Sequence, residues 1–494
     1  MLLTALKSFR FVSASRAEPR TLRQDLTASI VDGTSHSVMV GIGETYLAAF
    51  ALALGLGEVA SGLVTTLPLL GGALLQLIAP WGVRRVGSLR RWVVLGAALQ
   101  AACFVPMLIL ALNDQLSPWL VFPPAVWYWG AGLSTSGAWN TWMGGLIPAN
   151  LRARVFASRT RLAQAGVFAG FVTGGILLQL GFRQGAVLPM FAALFAIAFL
   201  FRSVSAYSLW QQSDVALPTT PHRQVPVGEW LHRLRHAPDG KLLAYLLAIQ
   251  CSIHISGAYF TPYLFKHLHF SYTEYMCVIA CAYAGKSLAS PYLGKVAQRW
   301  GARKLLFWGG LGIIPLSSLW LVSNGFVFLA TLQLVGGVAW AAYELAMALL
   351  FIEAIREHER TSMLTMFNFA WSVATVTGSL IGAGLLMIGD KTPAAYLAVF
   401  AISSVARIGA LGLLRRVPAC VAPQDLPSDV VSVVEAAEAP TPASAVSSAS
   451  ITETERVQIP PLQTAPAPSV PARVPLVVVP PVVMGTSNDE SVAA

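Results

Sequence analysis

Six ionisable side chains stand inside long apolar stretches of this chain: Asp32, His36, Glu44, His254, Lys286 and Glu344. A charge held in apolar surroundings is costly, so each is a candidate functional group. The carboxylates can exchange protons if they meet water. Lys286, between Gly285 and Ser287, is either a counter-ion to one of them or a site for an anionic ligand group. Asp32 and His36 lie one helical turn apart and could equally make a gate-side contact. Glu44 and Glu344 have a plainer reading as fixed polar contacts between helices, and His254 as a hydrogen-bonded structural histidine. Tyr46, Trp340 and Tyr343 offer faces to an organic ligand, as do Asn140 and Trp142, but aromatic residues also fill cores. Enzyme signatures are absent. There is no Gly-x-x-x-x-Gly-Lys-Ser/Thr phosphate loop, no His-Glu-x-x-His, no Gly-x-Ser-x-Gly and no Cys-x-x-Cys, so neither catalytic residues, a cofactor nor a metal is expected. The five cysteines read as small apolar fillers.

The elements that must position these groups follow from composition. The chain is 55% hydrophobic and 11% charged, where a soluble chain carries about 25% charged residues. Runs of about 20 apolar residues recur between charge clusters, the length of a helix that crosses a bilayer. Lipid satisfies no free backbone amide, so the spans are helices. They are predicted at 28–56, 59–80, 92–112, 119–148, 160–182, 186–207, 241–264, 273–296, 304–322, 326–352, 362–388 and 393–414. The polar stretch 208–240 divides them into six-helix bundles at 26–207 and 241–416. A basic leader (1–25) carries Lys7, Arg10, Arg16, Arg20 and Arg23. The tail from 417 holds 13 of the 30 prolines and is predicted to be disordered.

Lys and Arg placement fixes an expected orientation. With the N-terminus in the cytoplasm, the clusters Arg84–Arg91, Arg152–Arg161 and Lys295–Lys304 all fall inside, and only Arg183, Lys266 and Lys391 fall outside. Both termini are therefore expected in the cytoplasm. The net charge of +10 is explained by topology rather than by nucleic-acid binding. Glu58, Glu353 and Arg407 read as span-end groups that reach the interface.

The loop after the second span reads P-W-G-V-R-R-V-G-S-L-R-R (80–91), and that after the eighth reads G-K-V-A-Q-R-W-G-A-R-K (294–304). Both contain Arg-x-Gly followed by basic residues: Arg85 and Gly87, then Arg299 and Gly301. The paired loops, the twelve-span count and the central divide resemble the major facilitator superfamily over about residues 26–416. They look like its motif Gly-x-x-x-Asp-Arg-x-Gly-Arg-Arg, but Arg84 and Gln298 stand where the Asp would, which puts that cytoplasmic gate in doubt. The fifth span, with Gly166, Gly170, Gly174 and Gly175, is similar to the family's antiporter signature, with Phe171 in place of Pro. Glycines at that spacing also serve close helix packing alone. The family's fourth-span Arg is missing.

The resemblance implies that the first, fourth, seventh and tenth spans line a central cavity, placing Glu44, His254 and Glu344 on three of them. It implies a secondary transporter of a small organic molecule, working by alternating access and coupled to protons, with a lean to export. Uptake of a sugar or organic acid, or a non-transporting receptor or scaffold on the same fold, stands as the alternative. The expected setting is a bacterial inner membrane, as a monomer whose partners are lipid, substrate and a coupling proton.

Overall fold

The computed structural model describes residues 19–113, 115–215, 225–355 and 357–416. Most of the leader, residues 216–224 of the central stretch, and the tail with Cys420 lie outside them. The described residues form helices in twelve spans and contain no strand. Ten are apolar enough by hydropathy alone to cross a membrane. The other two, Phe122–Leu146 and Tyr272–Trp300, are as long but carry more polar residues. They are the fourth and eighth spans, and some of these polar groups, Lys286 among them, turn toward neighbouring helices.

Several spans break where their chemistry requires. The first runs Pro19–Met39, loosens into a π turn at Val40–Glu44, and resumes at Leu47–Ala53. The third, Leu89–Ala102 and Phe104–Leu112, breaks just before Pro106, which has no amide to donate to the preceding turn. The seventh, Pro238–Gly257 and Phe260–Lys266, breaks before Pro262 in the same way. Starts are capped by short polar side chains. The Ser88 hydroxyl accepts from the Arg91 amide, Thr392 from Ala395, and Ser271 forms a capping box with Glu274. Gly87 (φ +71°) and Gly301 (φ +79°) end the second and eighth spans in backbone that favours glycine. The paired Arg-x-Gly loops thus hold two matching helix stops.

The two bundles repeat one another in detail. Tyr46 and Tyr259 each stand at the restart of a broken span, the first and the seventh. The Tyr46 hydroxyl donates to the Phe171 carbonyl of the fifth span at 2.7 Å, and Tyr259 to the Ser379 carbonyl of the eleventh at 2.5 Å. Glycines bring each of these pairs together. A Cβ on Gly170 would meet the Val38 carbonyl at 2.5 Å, and one on Gly174 would strike the Tyr46 ring at 2.5 Å. On the other side, a Cβ on Gly378 or Gly382 would meet the Cys251 or Ile255 carbonyl at 2.1 Å. The stripe Gly166, Gly170 and Gly174 packs the fifth span onto the first, and Gly175 faces Met276 of the eighth.

A single hydrophobic core draws on both bundles. The hydrogen bonds and ring contacts that join them gather at the end opposite the basic loops, here the far end. Glu58 accepts from the Tyr396 hydroxyl (2.6 Å) and lies 3.3 Å from His267 Nε2. Thr66 donates to Ser379 Oγ at 2.9 Å. The Thr273 amide donates to Gln179, and Tyr46 and Phe182 meet Tyr275 and Tyr272. A Cβ on Gly62 would lie 2.5 Å from the Ala258 carbonyl. At the basic end, Trp142 sits in a small separate cluster with Leu89, Val93 and Leu209.

The glycine contacts make a sharp prediction. Gly170→Ala should lower the unfolding temperature of the purified protein markedly, because the Val38 backbone cannot yield. Gly384→Ala, on the eleventh span with no atom near its Cβ position, should leave it unchanged or raise it slightly. Equal behaviour of the two variants would overturn the packing assignment.

Candidate functional site

Two mid-span carboxylates, one in each bundle, are handled in opposite ways. Glu344, on the tenth span Phe326–Ala354, meets Lys286 halfway along the eighth. The ammonium lies 2.7 Å from Oε1 and 2.6 Å from Oε2, and both side chains are about four-fifths enclosed. The helices carrying them come close because Gly285 and Gly337 sit on the facing backbones, at the Leu334 and Ala282 carbonyls. Glu44 ends the π turn of the first span, where the loosened helix aims its side chain inward. Its Oε2 accepts a short hydrogen bond from Tyr128 of the fourth span. Its Oε1 is enclosed and, among the described residues, has no partner. Phe104 and Trp129 pack edge-on against Tyr128 around it. Glu44 thus has a hydroxyl and aromatic rings where Glu344 has a cation.

Nearer the basic end lies a second polar cluster, wholly within the first bundle. Asp32 is buried and spends both oxygens, accepting from Arg159 Nη2 (2.6 Å) and from Ser205 Oγ (2.7 Å). Arg202 in turn donates to Ser205 at 2.6 Å. Arg159 also donates to the Ser29 carbonyl and lies over the Trp139 ring at 4.3 Å. Gly33 makes room for it, since a Cβ there would stand 2.7 Å from Arg159 Nε. The gate-side contact that their spacing allows between Asp32 and His36 does not form among the described residues. Asp32 is saturated by arginine and serine, while half-buried His36 has an enclosed Nδ1 without a partner among the described residues. Arg202 was not singled out by the sequence reading, although a lone arginine in Phe-Leu-Phe-Arg-Ser-Val is the signal for it.

Other candidates fall elsewhere. His254 is buried where the seventh span meets Gly378 of the eleventh. Trp340 and Tyr343 pack edge to face at 5.9 Å, both nearly fully buried, with Trp340 Nε1 and Tyr343 Oη enclosed and without a partner among the described residues. Asn140 is half-buried, with Oδ1 likewise enclosed. Two aromatic expectations are corrected. Tyr46 is fully buried, stacked on Phe171 with its hydroxyl bonded, so in this conformation it packs two helices and meets no ligand. Trp142 is buried at the basic end, donating to the Ser213 carbonyl at 2.9 Å, away from the mid-span level. Arg407 is also corrected. It does not reach an interface but is fully buried, donating to the Ile313 carbonyl (2.7 Å) and the Ser256 hydroxyl (3.3 Å). Nearby hydroxyls and carbonyls remove the need to reach water. Arg85 and Arg299 are exposed.

A model of the Major Facilitator Superfamily matches residues 242–449. Among solved structures, the nucleoside transporter NupG is similar over 80% of this chain and 99% of its own, at 12% identity and a TM-score of 0.61. A bacterial homolog of the human lysosomal transporter Spinster matches over 86% and 100% at 14% identity (TM-score 0.55). The human organic anion transporter MFSD10 matches over 81% and 100% at 13% identity (TM-score 0.54). No curated protein matches at a significant level. Residues 242–449 thus match that family's model, and the solved transporters share the fold along most of the chain. It is a multi-pass membrane protein.

The loop acid missing at Arg84 has a local substitute. Asp214, just beyond the sixth span, accepts from the Ser88 hydroxyl at 2.6 Å and lies 4.0 Å from Arg90. Arg90 also donates to the Gln212 carbonyl at 3.0 Å and lies over Trp210. The loop between the second and third spans is therefore tied to the end of the sixth.

Two measurements separate the polar clusters. Asp32→Asn leaves two arginines without their carboxylate and should cost about 3–5 kcal/mol, read as a large fall in unfolding temperature in detergent. Ser205→Ala should cost about 1 kcal/mol; an equal loss in both would overturn the central place of Asp32. Lys286→Met should destabilise by stranding Glu344, and Lys286→Met combined with Glu344→Gln should recover most of that loss. A double variant no better than the single one would show that the pair does not act as a unit.

Proposed function

We propose that this protein is a secondary active transporter of a small organic molecule, working by alternating access and coupled to protons. The observation that carries the reading is the unequal treatment of the two mid-span carboxylates. Glu344 is balanced by Lys286, whereas Glu44 has no cation beside it among the described residues. A carboxyl group in that setting can change its charge only when its surroundings open to water, which is the step a coupled cycle requires. The Lys286–Glu344 pair offers an acidic or basic substrate group something to displace. The glycine stripe of the fifth span is consumed by packing against the first, so export gains no support from it. The basic loops are assigned to the cytoplasm by the bias of Lys and Arg, with a bacterial inner membrane as the setting. The similarity to nucleoside and organic anion transporters supports small organic solutes as the class to test.

The test is a thermal-shift screen of the detergent-purified protein against nucleosides, sugars, organic anions and organic cations, run at pH 5.5 and 7.5. A stabilising ligand whose effect depends on pH in the wild type, and loses that dependence in Glu44→Gln, supports coupled transport. Stabilisation by no class, with Glu44→Gln folded and unchanged, would overturn the reading in favour of a receptor or scaffold on the same fold.

A further inference from the structure

The central stretch contains a helix that the span count leaves without a role, Val227–His236 (V-G-E-W-L-H-R-L-R-H). It is fastened to the second bundle on one side only. Trp230 is buried in the main core and Leu234 packs against it. Arg233 donates to Glu229 at 2.6 Å and lies 3.5 Å from Asp239 at the start of the seventh span. A Cβ on Gly240 would clash with the Arg233 carbonyl at 1.8 Å, so the helix crosses the first turn of that span backbone to backbone. Just before it, the Val225 amide donates to Ser362 of the eleventh span. Only Ala237, in extended conformation, separates it from Pro238, so the helix is held at the level where the seventh span enters the bilayer.

Its free faces are ordered. Val227, Leu231 and Arg235 form one column at four-residue spacing, with Val227 and Leu231 each more than half exposed. His232 and His236 form the next column, both exposed, with their rings stacked at 4.5 Å. The helix therefore shows protein a tryptophan face, then an apolar edge, then a basic edge. That order matches a bilayer boundary, where apolar side chains enter the acyl layer and basic ones meet phosphates.

We propose that Val227–His236 is an interfacial anchor that binds anionic phospholipid headgroups. Val227 and Leu231 insert into the acyl boundary. Arg235, His232 and His236 hold the phosphates. Because the helix is bonded to the starts of the seventh and eleventh spans, lipid on it bears directly on the basic end of the second bundle.

The experiment uses the full chain in nanodiscs of phosphatidylcholine, with and without phosphatidylglycerol. Phosphatidylglycerol should raise the unfolding temperature of the wild type. The triple variant Arg235→Gln, His232→Gln, His236→Gln should lose most of that increment while matching the wild type in phosphatidylcholine alone. An increment fully retained in the triple variant, or absent from the wild type, would overturn the proposal. A nitroxide on Leu231→Cys gives a second reading. Stronger broadening by oxygen than by a water-soluble nickel chelate is expected, and the reverse would place the helix in water and sink the anchor.

Discussion

Hydrocarbon offers no partner to a charge, and most of this structure follows from that constraint. Each buried charge with a strong partner finds it inside its own bundle. Asp32 is met by Arg159 and, through Ser205, by Arg202. Arg407 is met by a carbonyl and a hydroxyl, and Lys286 by Glu344. The strong electrostatic ties therefore lie within bundles, and the boundary between them is left to hydroxyls, ring contacts, glycine approaches and one carboxylate at a helix start. In the proposed cycle, the seam is then the place that can give.

The glycine contacts complete that division. Between the first and fifth spans, and between the seventh and eleventh, helix backbones approach so closely that no side chain fits. The matching tyrosine-to-carbonyl bonds at Tyr46 and Tyr259 lock the same two pairs of helices. These shared contacts are the scaffold of the repeat. The last span of each bundle also holds a buried arginine, Arg202 or Arg407. The carboxylates and the lysine are what the two copies do not share: the Lys286–Glu344 pair belongs to one bundle, and Glu44 and Asp32 to the other.

Much of the fold was legible because a bilayer imposes length and hydropathy on every span. The twelve helices, the central divide and the matching loop glycines could all be read directly. The helix Val227–His236 lay within the polar stretch 208–240 and was not read as a helix, since its ten residues are too few to span a bilayer. Single charges inside spans could be found, but their partners could not. Spacing along one helix allowed Asp32 and His36 a gate-side contact, while the actual partners of Asp32, Arg159 and Ser205, come from the fifth and sixth spans. Arg407 was placed at an interface by its position, because nothing local reveals that Ile313 and Ser256 accept from it. Tyr46 looked like a ligand contact for the same reason. The carbonyl of Phe171, its acceptor, leaves no trace in side-chain chemistry.

The seam at the far end has an energetic consequence. Thr66 with Ser379, Gln179 with the Thr273 amide, and Glu58 with Tyr396 and His267 all stand where water could take over each bond on separation. A bond exchanged for water forfeits only about 0.5–1.5 kcal/mol, and Glu58, at the first turn of its helix, would be left in solvent rather than in lipid. Parting the bundles there strands no ion. In the proposed cycle the polar bonds of this seam therefore contribute only a few kcal/mol against parting, within the range that a solute favouring one form by a factor of 10³–10⁴ can supply.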